Sequence, residues 1–183
     1  MFVKAGQKPV VVHAGTNRAS STPPEVEAVA CERILFVDDE ENVLEGYKRL
    51  LHGEFEVETA KGGEQALAAL RLLGPYAIVI SDMRMPGLDG AGLLSRVREL
   101  APSTVRMLLT GYKDMNSAIE AFNEGRIFRY LSKPCEKSEL VHAIQLGLEQ
   151  YRTNTEQKEL LKAVEEIRHK ADGLANVLHS WKR

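Results

Sequence analysis

The stretch Ala77-Ile78-Val79-Ile80-Ser81-Asp82-Met83-Arg84-Met85-Pro86-Gly87 constrains this chain more than any other. Its opening run of apolar, mostly β-branched residues reads as a strand buried on both faces. The run ends in an acid, and Pro86-Gly87 then imposes a turn. A strand of this kind belongs to a parallel sheet covered by helices, which places Asp82 at the carboxyl edge of the sheet, where ligands bind in open α/β folds. Taken alone, an aspartate there is best read as the cap of the following turn. The rest of the chain changes that reading, because it brings other charged groups to the same edge.

Residues 33–37 form a second apolar run, ending in Asp38-Asp39-Glu40-Glu41, and Val43, Leu44, Tyr47, Leu50 and Leu51 follow at helical spacing. Phe55, Val57 and Thr59 alternate with Glu54, Glu56 and Glu58, the pattern of a half-exposed edge strand. Gly62-Gly63 precedes a helix over 64–73, which Gly74-Pro75 ends. After the Asp82 strand, a helix over 90–100 stops before Pro102. Residues 105–109 make a fourth strand closing on Thr110-Gly111, and Asp114 caps a helix that runs to Glu124 and ends at Gly125. Residues 127–131 make a fifth strand, followed by Ser132-Lys133-Pro134, and a last helix begins near Glu136. Five strands alternating with five helices predict an α/β fold: a doubly wound, five-stranded parallel sheet in the order 2-1-3-4-5, with a long C-terminal helix.

The strand ends then share one edge. It carries Asp38 and Asp39 from the first strand, Asp82 from the third, Thr110 from the fourth and Lys133 from the fifth. Three carboxylates in one place repel unless a cation sits among them. A hard ion with oxygen ligands relieves the repulsion, and Mg2+ suits a partly hydrated site with few carboxylates. A carboxylate beside Mg2+ and a lysine is a nucleophile towards a phosphoryl group, whose transfer asks mainly for positioning and charge neutralisation.

The motifs Leu35-Phe36-Val37-Asp38-Asp39-Glu40, Ser81-Asp82-Met83-Arg84-Met85-Pro86-Gly87-Leu88-Asp89-Gly90, Leu109-Thr110-Gly111 and Tyr130-Leu131-Ser132-Lys133-Pro134 occur in this order on the matching elements. With them, residues 32–150 resemble the receiver domain of bacterial two-component response regulators. The wording is similar to receivers attached to HD-GYP-type phosphodiesterases or hydrogenase-type regulators. The resemblance implies a signalling module rather than an enzyme. Asp82 would accept a phosphoryl group from a sensor histidine kinase or phosphotransfer protein. Asp39 and Asp82 would bind Mg2+ directly, Asp38 through water, and the backbone carbonyl of Arg84 would complete the metal site. Thr110 and Lys133 would hold phosphoryl oxygens, Thr110 and Tyr130 would act as the switch, and the Lys133-Pro134 peptide would be cis. Two departures stand out. Gly111 replaces the usual Ala, and the segment from Thr110 to Lys133 is one residue longer than the common pattern, the extra residue falling within 123–128.

The chain of 183 residues has a net charge of −2, so nothing in its bulk charge draws it to nucleic acid or a membrane surface. Cys31 and Cys135 form neither a metal pair nor a disulfide framework, which fits a reducing compartment. Val10-Val11-Val12 is too short for a signal core or a membrane span, so a cytoplasmic location is expected. Residues 1–31 read as a flexible tail, because 16–27 is rich in Ser, Thr, Pro, Asn and Glu and buries little.

The last helix runs on past the receiver-like region as an extension over 151–183. Residues 152–158 are polar on every side, after which Leu160, Val164, Ile167, Ala171, Leu174, Leu178 and Trp181 recur in alternating steps of four and three. That is a heptad seam, widened by Leu161, Ala163 and Val177, and it predicts a homodimer through a coiled coil. Gly173 costs about 1 kcal/mol of helix propensity, so the pair is modest. No helix-turn-helix follows, and output passes through this helix, a downstream protein or a further domain. Two rival readings are a phosphotransfer bundle with phosphate on His169 or His179, and a scaffold that is never phosphorylated.

Overall fold

A computed structural model describes residues 32–111, 114–123 and 127–180, with side chains as far as 173. Its elements are β1 (Ile34–Asp38), α1 (Glu41–Leu51), β2 (Val57–Lys61), α2 (Gly63–Leu72), β3 (Ile78–Asp82), α3 (Gly90–Leu100), β4 (Val105–Thr110), α4 (Met115–Asn123), β5 (Arg129–Ser132) and α5 (Lys137–Ser180). The five strands form one parallel sheet in the order 2-1-3-4-5, as the alternation of elements predicts. Residues 1–31 lie outside the described residues, as do Trp181 and 124–126, part of the 123–128 stretch in which the extra residue was expected.

The sheet works because its central strands are apolar on both faces. Ile34, Phe36, Ile78, Ile80, Met107 and Leu109 alternate onto one side, against Leu44 and Leu51 of α1 and Leu140, Ile144, Leu148 and Tyr151 of α5. Leu35, Val37, Val79 and Leu108 point the other way, onto Ala66, Leu67, Leu93, Leu94, Val97, Ala118 and Ala121 of α2, α3 and α4. The period of two in the strands thus sorts the helices into two layers. Gly147 lets α5 lie flat on the sheet, since a Cβ there would stand 2.4 Å from Met107 Cε and 2.9 Å from Ile78 Cδ1.

Two strands begin later than their apolar residues indicate. Phe55 belongs to the α1–β2 turn, its N–H donating to the Leu51 carbonyl, and β2 opens only at Val57. Ile127 is buried beside Ala118 and Ala121, ahead of β5, and Phe128 N–H makes a single bond to the Arg106 carbonyl before the ladder starts. Both aromatic or aliphatic side chains pack on the core without their backbones joining the sheet, so a hydrophobic count overextends each strand.

The polar stretch after Tyr151 is not bare. Arg152 forms a two-pronged pair with Glu32, at 2.6 and 2.9 Å, and Asn154 Nδ2 donates to the Ser103 carbonyl at 3.1 Å. The packing of the α/β domain therefore holds α5 to Asn154, beyond the expected boundary at 150. Past this anchor, Leu160, Leu161, Val164 and Ile167 are exposed. Among the described residues, no helix is long and apolar enough to cross a membrane.

Candidate functional site

Four strand ends deliver the site. β1 ends in Asp38 and β3 in Asp82, each one residue beyond the paired Val37 and Ser81, and β4 and β5 run beside β3 in turn. Both carboxylates are nearly enclosed, Asp38 at 3% exposure and Asp82 at 8%. Two such charges side by side are costly without a counterion. Lys133, just past β5, provides one: its Nζ lies 2.6 Å from Asp82 Oδ1 and 3.1 Å from Asp38 Oδ2. The lysine is placed by its own backbone, because Lys133 N–H donates to the Thr110 carbonyl at 2.8 Å. The Lys133-Pro134 peptide that follows is cis.

The remaining carboxylate oxygens are also engaged. Glu40 N–H donates to Asp38 Oδ1 at 2.9 Å, and Arg84 N–H donates to Asp82 Oδ2 at 2.7 Å. These bonds fix both carboxylates, so the charged group that reaction would use is oriented before any ligand arrives. α3 closes in from behind: a Cβ on Gly90 would stand 2.1 Å from the Asp82 carbonyl oxygen, and only glycine admits that approach.

Burial works against the Lys133 ammonium, but its hydrogen bonds and charge contacts with Asp82 and Asp38 outweigh that and hold its pKa above the ordinary lysine value. Tyr47, on α1, stacks on Phe36 at 4.8 Å between ring centroids, and burial raises its pKa although Lys133 pulls the other way. Both groups stay protonated at neutral pH.

Asp39 stands apart from this pair, on the rim of an open cleft of about 540 Å3 that Met83, Arg84, Asp89, Asp114 and Ser117 also line. Among the described residues, no three His, Cys, Asp or Glu side chains are gathered closely enough to hold a metal ion. The donor chemistry nonetheless suits a hard cation, because two fixed carboxylates are present, Asp39 lines the cleft, and Mg2+ needs only one or two carboxylates. Thr110 is fully buried at the end of β4, its hydroxyl donating to the Gly111 carbonyl at 3.2 Å. Tyr130 on β5 is half-buried, with its ring edge-on to Phe122 of α4 at 6.3 Å.

One pair at the site was not anticipated from sequence. The Arg84 side chain reaches across the cleft to Asp114, Nε to Oδ2 and Nη2 to Oδ1, each at 2.7 Å. Asp114 was expected only to cap α4; it does stand immediately before Met115, but its carboxylate receives the arginine. The available signal was opposite charges just beyond the ends of two adjacent strands, which is easily overlooked across 30 residues of sequence.

Residues 34–145 match the family model described as the response regulator receiver domain. The chain belongs to that family. As a receiver of two-component signalling, it is 36% identical over 116 residues to the hydrogenase transcriptional regulatory protein HoxA of Cupriavidus necator, covering 63% of this chain and 24% of HoxA. Among solved structures, a receiver-sized chain described as adenylate cyclase from Rhodopirellula baltica is 44% identical with a TM-score of 0.70, covering 72% of this chain and 97% of that one. The signal receiver domain of an HD domain-containing protein from Pseudomonas fluorescens Pf-5 is 38% identical with a TM-score of 0.62, covering 66% of this chain and 97% of that one. The chain spans about a quarter of the length of the curated relatives it matches.

Proposed function

We propose that this receiver takes a phosphoryl group on Asp82 from a sensor histidine kinase or phosphotransfer protein and passes the change on through α4, β5 and α5. The contact of Lys133 with Asp82 and Asp38 carries this reading. A buried carboxylate with a cation already at its side supports attack on a phosphoryl group whose oxygens would gather there. An Asp82 carboxylate oxygen attacks phosphorus, the donor's P–N bond breaks, and the histidine imidazole leaves with the electron pair. With acetyl phosphate as donor, the P–O bond of the anhydride breaks and acetate leaves. Lys133 then pairs with the new phosphoryl oxygens instead of with Asp82, and the Thr110 hydroxyl turns from the Gly111 carbonyl to accept the role of second partner.

Asp82, Asp39 and the Arg84 backbone carbonyl would hold Mg2+, with Asp38 acting through water. The ion supplies neutralisation of charge that develops on the transferring group. Drawing Thr110 inward would vacate space beside Tyr130 and reset its contact with Phe122, which carries the signal to the α4 face.

On the output side we propose that α5 pairs in parallel with α5 of a second copy through Leu160, Val164, Ile167, Ala171, Leu174, Leu178 and Trp181. The first three are 54–67% exposed, whereas Leu140, Ile144 and Leu148 earlier on the same helix are buried. An apolar face of that kind gains from a partner. The readings with phosphate on His169 or His179, or with no phosphate at all, draw no comparable support; His169 is exposed on α5.

Asp82→Asn keeps the shape of the side chain and removes the nucleophile. The variant should take no label from radiolabelled acetyl phosphate with Mg2+, while the parent is labelled on one site. Labelling of the variant at the parental rate would overturn the assignment.

A further inference from the structure

Arg84 joins the candidate phosphoacceptor to the start of α4 by two different routes. Its backbone N–H is bonded to Asp82 Oδ2, and its guanidinium is bonded at both ends of a carboxylate, that of Asp114. The two acids it touches lie on different segments, Asp82 at the end of β3 and Asp114 immediately before α4. The guanidinium is exposed, with 68% of the Arg84 side chain open to the cleft, whereas Asp114 is only 18% exposed. The arginine is therefore the member of the pair with room to move.

We propose that Arg84 is an exchange latch: in the unphosphorylated chain it holds Asp114 and the first turn of α4, and on phosphorylation its guanidinium transfers to the phosphoryl group. This rests on Asp82 being the phosphoacceptor. The exchange follows from charge and geometry. The cleft that holds the pair is walled by Met83, Arg84 and Met85, the residues that directly follow Asp82. A phosphoryl group brings roughly −1.5 to −2 charges and three strong acceptors to that wall, against the single charge of Asp114. A guanidinium meets phosphate oxygens with the same two-pronged fork that it offers a carboxylate, so the transfer exchanges one pair of parallel bonds for another of higher charge. Arg84 cannot follow passively, because any movement of Asp82 Oδ2 pulls on its backbone N–H directly. Its other neighbours in the cleft, Asp39 and Asp89, are acids and keep the arginine at this wall in either state.

The consequence reaches the output face. α4 is held to the domain through Ala118 and Ala121, and its exposed side carries Ile119 and Phe122. Transfer of Arg84 removes its tether from the end of the helix nearest the site, while the small buried residues allow the helix to shift. This route to α4 is separate from Thr110 and Tyr130.

The latch is tested with full-length protein, Mg2+ and beryllofluoride as the phosphoryl mimic, reading both affinity and amide hydrogen exchange in α4. Asp114→Asn removes the competing charge but keeps a good helix-capping side chain. Because an exposed ion pair no longer opposes the exchange, this variant should bind beryllofluoride about three- to fivefold more tightly. Its first α4 turn should exchange, without the mimic, as fast as the parent's does with it. Asp114→Glu should return both readings to the parental values. Arg84→Gln loses the partner in both states, so it should bind the mimic no more tightly than the parent. If Asp114→Asn matches the parent in affinity and exchange, or if Arg84→Gln tightens binding as Asp114→Asn does, the pair is a simple tether and the latch is refuted. A parent chain that binds no beryllofluoride overturns the phosphoacceptor reading itself, which distinguishes that failure from failure of the latch.

Discussion

With Lys133 replaced by alanine, Asp82 and Asp38 would face each other with no cation between them. A broken buried pair costs 3–5 kcal/mol, and since the lysine side chain is 32% exposed the loss here should be about 2 kcal/mol at neutral pH. The two carboxylates then repel, so acid should restore part of the loss and Mg2+ should restore it at neutral pH, in thermal melts recorded with and without the ion. A melting temperature independent of both would remove Lys133 from its role as counterion. In the parent the sign is different. The Lys133 pKa lies above its ordinary 10.5, so its contribution is complete below about pH 10.5 and is lost only as pH rises through the higher folded value. Lys133, Asp82 and Asp38 were readable in the sequence because each closes an apolar run. Asp39 was expected to bind Mg2+ directly and Asp38 through water; Asp38 closes β1 and is buried, whereas Asp39 lines the cleft one residue past β1. Sequence adjacency does not tell which of two neighbouring acids a strand end turns inward.

Glycine marks which elements have room to change. Gly90→Ala, at the head of α3, would drive a Cβ against the Asp82 carbonyl oxygen and Leu108 Cδ1, and backbone cannot yield as a side-chain tip does. We expect a destabilisation of about 2 kcal/mol or more, read by denaturant unfolding, together with weaker binding of beryllofluoride. Gly173→Ala, on the exposed part of α5, meets nothing within 4 Å and should raise helix content by circular dichroism, with a gain near 1 kcal/mol. Equal effects at the two sites would contradict the packing of α3 on β3. α3 was legible to the residue, since Asp89 caps it, accepting from Gly92 N–H at 2.8 Å, and Pro102 follows its end. β2 and β5 were less so, because half-buried Phe55 and buried Ile127 are covered by tertiary packing and not by the ladder. Pairings such as Arg33 with Glu58 and Arg84 with Asp114 join distant segments and leave no local periodicity to read.

For the whole molecule, the proposed pairing of two copies would rest on a short seam. Ile167→Asp places a charge near its centre and should give monomers in analytical ultracentrifugation without changing the labelling of Asp82; a variant that remains dimeric would exclude the seam. The same helix sets the scale of what an Asp82 event can move. α5 is a single helix from Lys137 to Ser180, pinned to the domain by Arg152 with Glu32 and Asn154 with Ser103. From Asn154 onward it projects about 39 Å, at about 1.5 Å per residue. Over that length, a tilt of about 5° at the pinned end carries the tip through about 3.4 Å, comparable to two-thirds of a helical turn of rise. The domain is thus the short arm of a lever and the helix the long one, and a displacement too small to alter any contact within the sheet arrives at the far end large enough to change which residues meet.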